Sequence, residues 1–140
     1  MPILLILWGN GPVSYHLRLE LDGLPAMGMN ARRHWHVVSK ENAAWYARVR
    51  LATRLKRPPE PLRLARVDLT RCSSMEPDFD NLVASFKPIL DGLKRAGVIR
   101  DDKMSCIGQP DYHWRKAAPT EGRIVVEVWQ AEPPHSIDCR

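Results

Sequence analysis

Acidic residues near the middle of the chain have the types and spacing that metal-dependent chemistry requires. Asp78 and Asp80 are two positions apart, so an extended segment would place both carboxylates on the same side of the chain. At about 5 Å and an effective dielectric near 20, two carboxylates repel each other by roughly 3 kcal/mol. A cation would relieve this repulsion, and the candidates are Lys87 and Mg²⁺, which prefers oxygen ligands. Asp101 and Asp102 follow later in the chain and are expected to return toward the first pair.

The segment after these acids has the pattern of an amphipathic helix. From Asn81 to Ala96 the apolar residues recur at helical spacing on one side, whereas Asp80, Lys87 and Asp91 share the other. The helix would bury its apolar face and expose a stripe of carboxylate, ammonium and carboxylate groups. Helix capping and ordinary solvation are the alternative explanation for the acids.

The ends of this predicted helix are also marked in the sequence. Asp78 or Asp80 could accept hydrogen bonds from the free amides of the first turn, and Gly97 could end the helix in the left-handed conformation. Pro88 predicts a bend, because it cannot donate a hydrogen bond to the carbonyl of Ala84.

The order of these residues resembles that of the RusA-type Holliday-junction resolvases, small DNA endonucleases that are frequent in phages and prophages. The resemblance covers residues 76–103 and has three parts: D-x-D-N at 78–81, K-P-x-x-D-x-L at 87–93 and G-x-x-x-D-D at 97–102. Compared with familiar members, 84–86 reads as three extra residues before the lysine. Three residues are nearly one helical turn, so Lys87 is still expected to face Asp80.

The resemblance implies a Mg²⁺-dependent endonuclease that resolves four-way DNA junctions as a homodimer, with Mn²⁺ able to satisfy the same ligands. The metal ligands would be Asp78, Asp80 and Asp102. Lys87 would complete the catalytic set by stabilising negative charge or orienting the attacking water. Asp91 and Asp101 would be hydrogen-bonding partners of the ligands.

The distribution of charge favours a nucleic-acid partner. The chain has 140 residues and a net charge of +5, and residues 31–57 contain eight Lys or Arg against Glu41 alone. A basic segment beside an acidic centre suits a polyanion held over a cation site, although a solvated helix face is an alternative. The expected DNA-binding residues are Arg32, Arg33, His34, Lys40, Arg54 and Arg57.

The cysteines and apolar segments indicate a protein of the reducing cytoplasm. Cys72, Cys106 and Cys139 have no metal-ligand spacing, and their odd number argues against a disulfide framework. The apolar run Ile3 to Trp8 is too short to span a membrane. We expect no membrane partner and no nucleotide cofactor, because no Gly-rich phosphate loop is present.

The coarse pattern predicts one α+β domain over residues 15–131, with an N-terminal extension at 1–14 and a loosely ordered tail at 132–140. Alternating residues predict strands at 15–22, 63–73 and 123–129, and a helix is expected at about 40–56. Residues 103–114 resemble a broken strand, and 115–122 the loop of a hairpin. The expected order is β-α-β-α-β-β, a mixed and mainly antiparallel sheet with two helices packed on it.

Two other functions are compatible with the same residues. A DNA-binding protein of the same fold without cleavage activity would keep the basic segment and use its acids as caps. A small enzyme of another phosphate chemistry has less to recommend it, since the sequence has no nucleotide-binding loop.

Overall fold

A four-stranded sheet forms the centre of the protein. The computed structural model describes residues 6–7, 13–26 and 34–131. The strands, in chain order, are β1 (Ile6–Leu7), β2 (Val13–Ser14), β3 (His16–Asp22), β4 (Ala65–Ser73), β5 (Asp111–Lys116) and β6 (Arg123–Gln130). β1 pairs with β2 alone, and the other four strands form one sheet in the order β3-β6-β4-β5. No helix within the described ranges is long and apolar enough to cross a membrane.

Alternation of apolar and polar residues gives the sheet one buried face. Leu17, Leu19 and Leu21 of β3 are buried while the residues between them are exposed, as the period of two requires. Val67 and Leu69 of β4 repeat the pattern, and β6 alternates in the same way. The three strands predicted from alternation are therefore confirmed, with ends within two residues of those expected.

The pairing of the last two strands differs from the prediction. β5 and β6 do not form a hairpin, because β4 lies between them and pairs with β5 in parallel and with β6 antiparallel. Alternation shows which face of a strand is buried but not which strand is its neighbour. A parallel pair needs a long crossover, and the segment between β4 and β5 supplies it. The sheet is mixed and mainly antiparallel, as expected.

The first helix, α1 (Trp35–Thr53), begins earlier and ends earlier than the predicted span of 40–56. His34 caps its start, since its ring Nδ1 accepts a hydrogen bond from the amide of His36 at 3.3 Å. Trp45 and Val49 are buried as predicted, but Ala44 and Leu55 are exposed. Those two assignments were wrong because Ala44 lies on the same face of α1 as the exposed Leu51, away from Trp45 and Val49, and Leu55 follows the end of the helix.

The single helix expected from Asn81 to Ala96 is instead two, α2 (Phe79–Ser85) and α3 (Lys87–Arg95). Phe86 lies at the junction and is fully buried; its carbonyl accepts the amides of both Ile89 and Leu90 at 3.0 Å. Pro88 therefore occupies the first turn of a new helix, where an amide hydrogen is not needed.

The predicted broken strand at 103–114 is also only partly correct. Met104–Ile107 form a short helix, α4, and Gly108, with a φ of 60°, follows it. Only Asp111–Lys116 is extended, as β5. The fold is therefore α+β, as expected, but α2 and α3 replace the one helix predicted at 81–96, and α4 replaces the first part of the predicted strand at 103–114.

Asp68, on the outer face of β4, gives a prediction about stability. Its Oδ1 is buried without a hydrogen-bond partner, and burial, helped by nearby Asp111 and opposed by Arg66, raises the pKa of Asp68. Ionisation of Asp68 therefore lowers the stability of the folded protein at pH values above the pKa that Asp68 has in the unfolded chain. Asp68→Asn should stabilise the protein at pH 7, although it removes the contact of Asp68 Oδ1 with Arg66 Nε at 3.6 Å, and the gain should disappear below about pH 4. Thermal unfolding at both pH values checks this, and a lower melting temperature at pH 7 would contradict it.

Candidate active site

Asp78 and Asp80 lie where β4 gives way to α2. Asp78 is the N-cap residue of α2, with extended backbone angles, and its carbonyl accepts the amide of Leu82 at 2.9 Å. Its carboxylate makes no capping hydrogen bond, whereas Asp80 Oδ1 accepts the amide of Asn81 at 3.0 Å. The capping explanation therefore accounts for one oxygen of Asp80 and for none of Asp78.

Both carboxylates are exposed, and neither forms an ion pair with any residue that the structure describes. Their position is fixed by the aromatic residues of α2 and of the helix junction. The ring of Phe79 meets Tyr112 of β5 edge-on at 6.2 Å between centroids, and Phe86 packs against the same ring at 5.9 Å. α2 is thus attached to the sheet at both ends, so its acidic first turn has a defined place.

Lys87 joins two of the other predicted residues. Its Nζ lies 2.7 Å from Asp102 Oδ2 and 3.2 Å from Asp91 Oδ1. Asp91 is one helical turn after Lys87 in α3 and also accepts a hydrogen bond from the Tyr46 hydroxyl at 3.5 Å. Contacts from α1 and α3 thus orient the ammonium group, which remains mostly exposed to solvent.

The chain brings Asp102 back to Lys87 through a well-defined turn. Gly97 follows α3 with a φ of 81°, and its amide donates to the Lys94 carbonyl while that of Val98 donates to the Leu93 carbonyl. This pair of bonds is the usual way for a glycine to end a helix, so the prediction for Gly97 is confirmed. The amide of Leu62 then donates to the Val98 carbonyl at 2.9 Å, which fixes the returning segment beside the sheet.

Asp101 has a separate set of partners. Its Oδ1 lies 3.2 Å from Lys94 Nζ and accepts the amide of Asp102 at 2.8 Å, and its Oδ2 lies 3.8 Å from Lys103 Nζ. Asp101 therefore contacts the backbone of Asp102 and helps to position it.

The ion pair changes the pKa of both of its members. The hydrogen bond from Lys87 lowers the pKa of Asp102 to about 2, helped by Asp101 and opposed by burial. The same hydrogen bond raises the pKa of Lys87, with Asp91 adding to the effect. Both groups therefore carry their full charge at neutral pH.

The depressed pKa of Asp102 predicts how stability depends on pH. The pKa of an Asp in the unfolded chain is about 3.9. The ion pair of Asp102 therefore contributes fully to the stability of the fold above about pH 4, and this contribution is lost as the pH falls toward 2. Wild type should melt above Asp102→Asn at pH 5 to 7, and the difference should shrink between pH 4 and pH 2. The expected difference is modest, because Lys87 is largely exposed. A constant difference down to pH 2 would contradict the assignment.

The donor set has the right chemistry for a hard divalent cation, but it is not assembled. Asp78, Asp80 and Asp102 offer carboxylate oxygens, the ligands that Mg²⁺ prefers. Within the described ranges, however, no three His, Cys, Asp or Glu side chains come together in a way that could hold a metal ion. Asp102 is instead paired with Lys87.

The predicted DNA-binding residues lie along α1 and the turn that follows it. His34, Lys40, Arg54 and Arg57 are all exposed, and Arg50 lies with them on the outer surface of the helix region. Arg32 and Arg33 lie outside the described residues. The described part of the basic segment is therefore accessible to a polyanion.

Sequence reasoning missed the aromatic residues that position the site. Tyr46 was not expected to reach Asp91, and Tyr112 was not expected to lie beneath Phe79 and Phe86. Arg95 also lies over the Tyr46 ring at 4.4 Å, which holds that ring between α1 and α3. One signal for Tyr46 was present in the sequence. It directly follows Trp45, which belongs to the buried side of α1, so Tyr46 had to lie at the edge of that side.

A scan against models of known protein families finds none that matches this chain, and a search of curated proteins finds no similar protein. The assignment of a function therefore rests on the motif in the sequence and on the geometry of the described residues.

Proposed function

We propose that the protein is a Mg²⁺-dependent endonuclease of the RusA type that hydrolyses phosphodiester bonds in branched DNA, such as a four-way junction. The observation that carries this proposal is the contact of Lys87 with Asp91 and Asp102. These residues belong to two separate parts of the motif, and the fold brings them within hydrogen-bonding distance. Association of the parts is what a shared catalytic role would require.

Each residue has a distinct role in this proposal. Asp78, Asp80 and Asp102 would hold the ion, which polarises the scissile phosphate and lowers the pKa of a bound water. Lys87 would donate a hydrogen bond to a phosphate oxygen and stabilise the negative charge that develops there. Asp91 would keep the ammonium group in place while Asp102 exchanges its partner.

The basic surface of α1 supplies a plausible path for the DNA backbone. α1 packs on α3. The closest approach is between Val49 of α1 and Gly92 of α3, where a Cβ on residue 92 would lie only 3.1 Å from the valine side chain. The part of α1 around Val49, which carries the exposed Arg50, is thus held closely against the helix that begins with Lys87. Phosphates bound along α1 would adjoin the acidic centre.

A DNA-binding protein without cleavage activity is the second candidate. The unassembled carboxylates favour it, because Asp102 is already neutralised by Lys87 and no three-ligand group exists in the described part of the chain. In that case the ion pair would be structural, and the basic surface alone would bind DNA.

A nicking assay separates the two candidates. A labelled four-way junction and a linear duplex of the same sequence are incubated with the protein in Mg²⁺, in Mn²⁺ and in EDTA. The proposed nuclease gives symmetric cuts in the junction only when a divalent ion is present. Binding without cuts in any ion would identify the non-catalytic protein, and cuts in EDTA would contradict the metal requirement.

We also predict that the active form is a homodimer. Resolution of a four-way junction needs two symmetric cuts, whereas one chain carries a single set of the motif residues. A two-fold dimer presents two identical sites to a pseudo-two-fold substrate. Light scattering should give about 32 kDa, twice the chain mass of 16.0 kDa. A monomer at micromolar concentration, both free and bound to junction DNA, would contradict the resolvase mechanism.

A further inference from the structure

The N-terminal half of α1 projects from the body of the protein. From Trp35 to Ala44 every residue except Asn42 is exposed, and Trp45 is the first buried one. At 1.5 Å per residue this portion is roughly 15 Å long. Packing against the other residues that the structure describes therefore does not explain why it carries large apolar side chains.

Three aromatic rings cluster at the tip of this projection. His34 stacks on His36 with 4.8 Å between ring centroids, and Trp35 lies 3.4 Å from His36 and 6.2 Å from His34. The hydrogen bond from the His36 amide to the His34 ring fixes the first of these rings. Trp35 is nevertheless 67% exposed, so most of a large flat surface is available to a partner.

The charge around the tip favours an anionic partner. The first turn of α1 contains no acidic residue, and the N-terminal end of a helix carries a partial positive charge. Lys40 and Glu41 are both exposed on the next turn and offset each other, so the positive potential at the tip comes from the helix end itself. Pairing with the same tip of a second copy would bring two positive ends together. A nucleic acid offers both the negative charge and the flat apolar surface of its bases.

We propose that Trp35 stacks on a base that leaves the stack at the branch point of the DNA and thereby favours branched over continuous duplex. The inference rests on the proposed action on branched DNA. In a continuous duplex the bases already stack on one another, whereas a base at a branch point can leave the stack at lower cost. His34 and His36 hold the indole from one side, and its open face receives the base.

Equilibrium binding in EDTA tests the proposal without cleavage. The full chain and its variants are titrated against a four-way junction and against a linear duplex of the same sequence. Trp35→Ala should lose about tenfold in affinity for the junction, the effect of removing one base–aromatic stack, and change little on the duplex. Trp35→Phe should recover most of the loss. Leu51→Ala is the matched control, because Leu51 is 68% exposed on the same helix but is not aromatic.

A fluorescent base analogue, 2-aminopurine, at the branch point gives an independent readout. Stacking on Trp35 should quench its emission in wild type, and Trp35→Ala should restore the emission at saturating protein. Equal losses on junction and duplex would overturn selective stacking, and so would an unchanged affinity together with a change in oligomeric mass. If wild type binds the junction no better than the duplex, the proposed function itself fails. If it binds the junction well and Trp35→Ala does the same, only the stacking inference fails.

Discussion

Replacing Asp80 with Asn is expected to abolish metal-dependent cleavage of a four-way junction while leaving junction binding intact or tighter. The side chain of the new Asn keeps an oxygen that can accept the hydrogen bond from the backbone N–H of Asn81, so α2 should fold as before. It removes the negative charge that would bind the ion and that faces the phosphates. The single-turnover rate in Mg²⁺ should fall by about 100-fold or more, and binding measured in EDTA should not weaken.

Glu76→Gln is the matched control for this prediction. It removes the same charge from an exposed position just before Asp78, but Glu76 is outside the proposed ligand set. The control should cut at nearly the wild-type rate. An Asp80→Asn variant that cuts as fast as wild type would mean that the ion is not held at Asp80, and the metal-site hypothesis would fail.

Replacing Lys87 with Ala should also remove most of the cleavage activity, by about 100-fold. The change deletes the group that would stabilise charge on the phosphate and leaves Asp102 without its partner at 2.7 Å. Because Lys87 is largely exposed, the melting temperature should fall only slightly. Single-turnover cleavage at saturating protein separates this loss from a loss of DNA affinity.

Lys94→Ala provides the comparison on the same helix. Lys94 pairs with Asp101 at 3.2 Å, so the control removes an ammonium group and an ion pair but keeps the contact of Lys87 with Asp102 and the hydrogen bond from the Asp102 amide to Asp101. It should retain cleavage. Full activity in Lys87→Ala would show that the contact of Lys87 with Asp102 is only structural.

The strands were predictable because burial on one face leaves a period of two in the sequence. Leu17, Leu19 and Leu21 show this directly, and the structure buries all three. Their pairing was not predictable in the same way. β6 lies between β3 and β4, an arrangement set by long-range packing that alternation does not encode.

The helix break shows why local patterns give only part of the site. Pro88 marked a disturbance, but its sequence position suits a bend in one helix as well as the start of a second. Phe86 packs against Tyr112 at the point where α2 ends, and a second helix begins after it. The four-residue spacing of Lys87 and Asp91 made their contact predictable. The contact with Asp102 also depends on the turn at Gly97 and on the hydrogen bond from Leu62, which belongs to a distant part of the chain.

The position of β6 has a consequence for the synthesis of the protein. The strand that leaves the ribosome last among the described ones is inserted between two strands made much earlier. Until residues 123–130 have emerged, β3 and β4 have no common neighbour, and the strand edges that pair with β6 remain open to other chains. The nascent chain therefore cannot complete its sheet in stages from the N-terminus. A stop codon ahead of β6 should yield an aggregating product rather than a smaller folded domain.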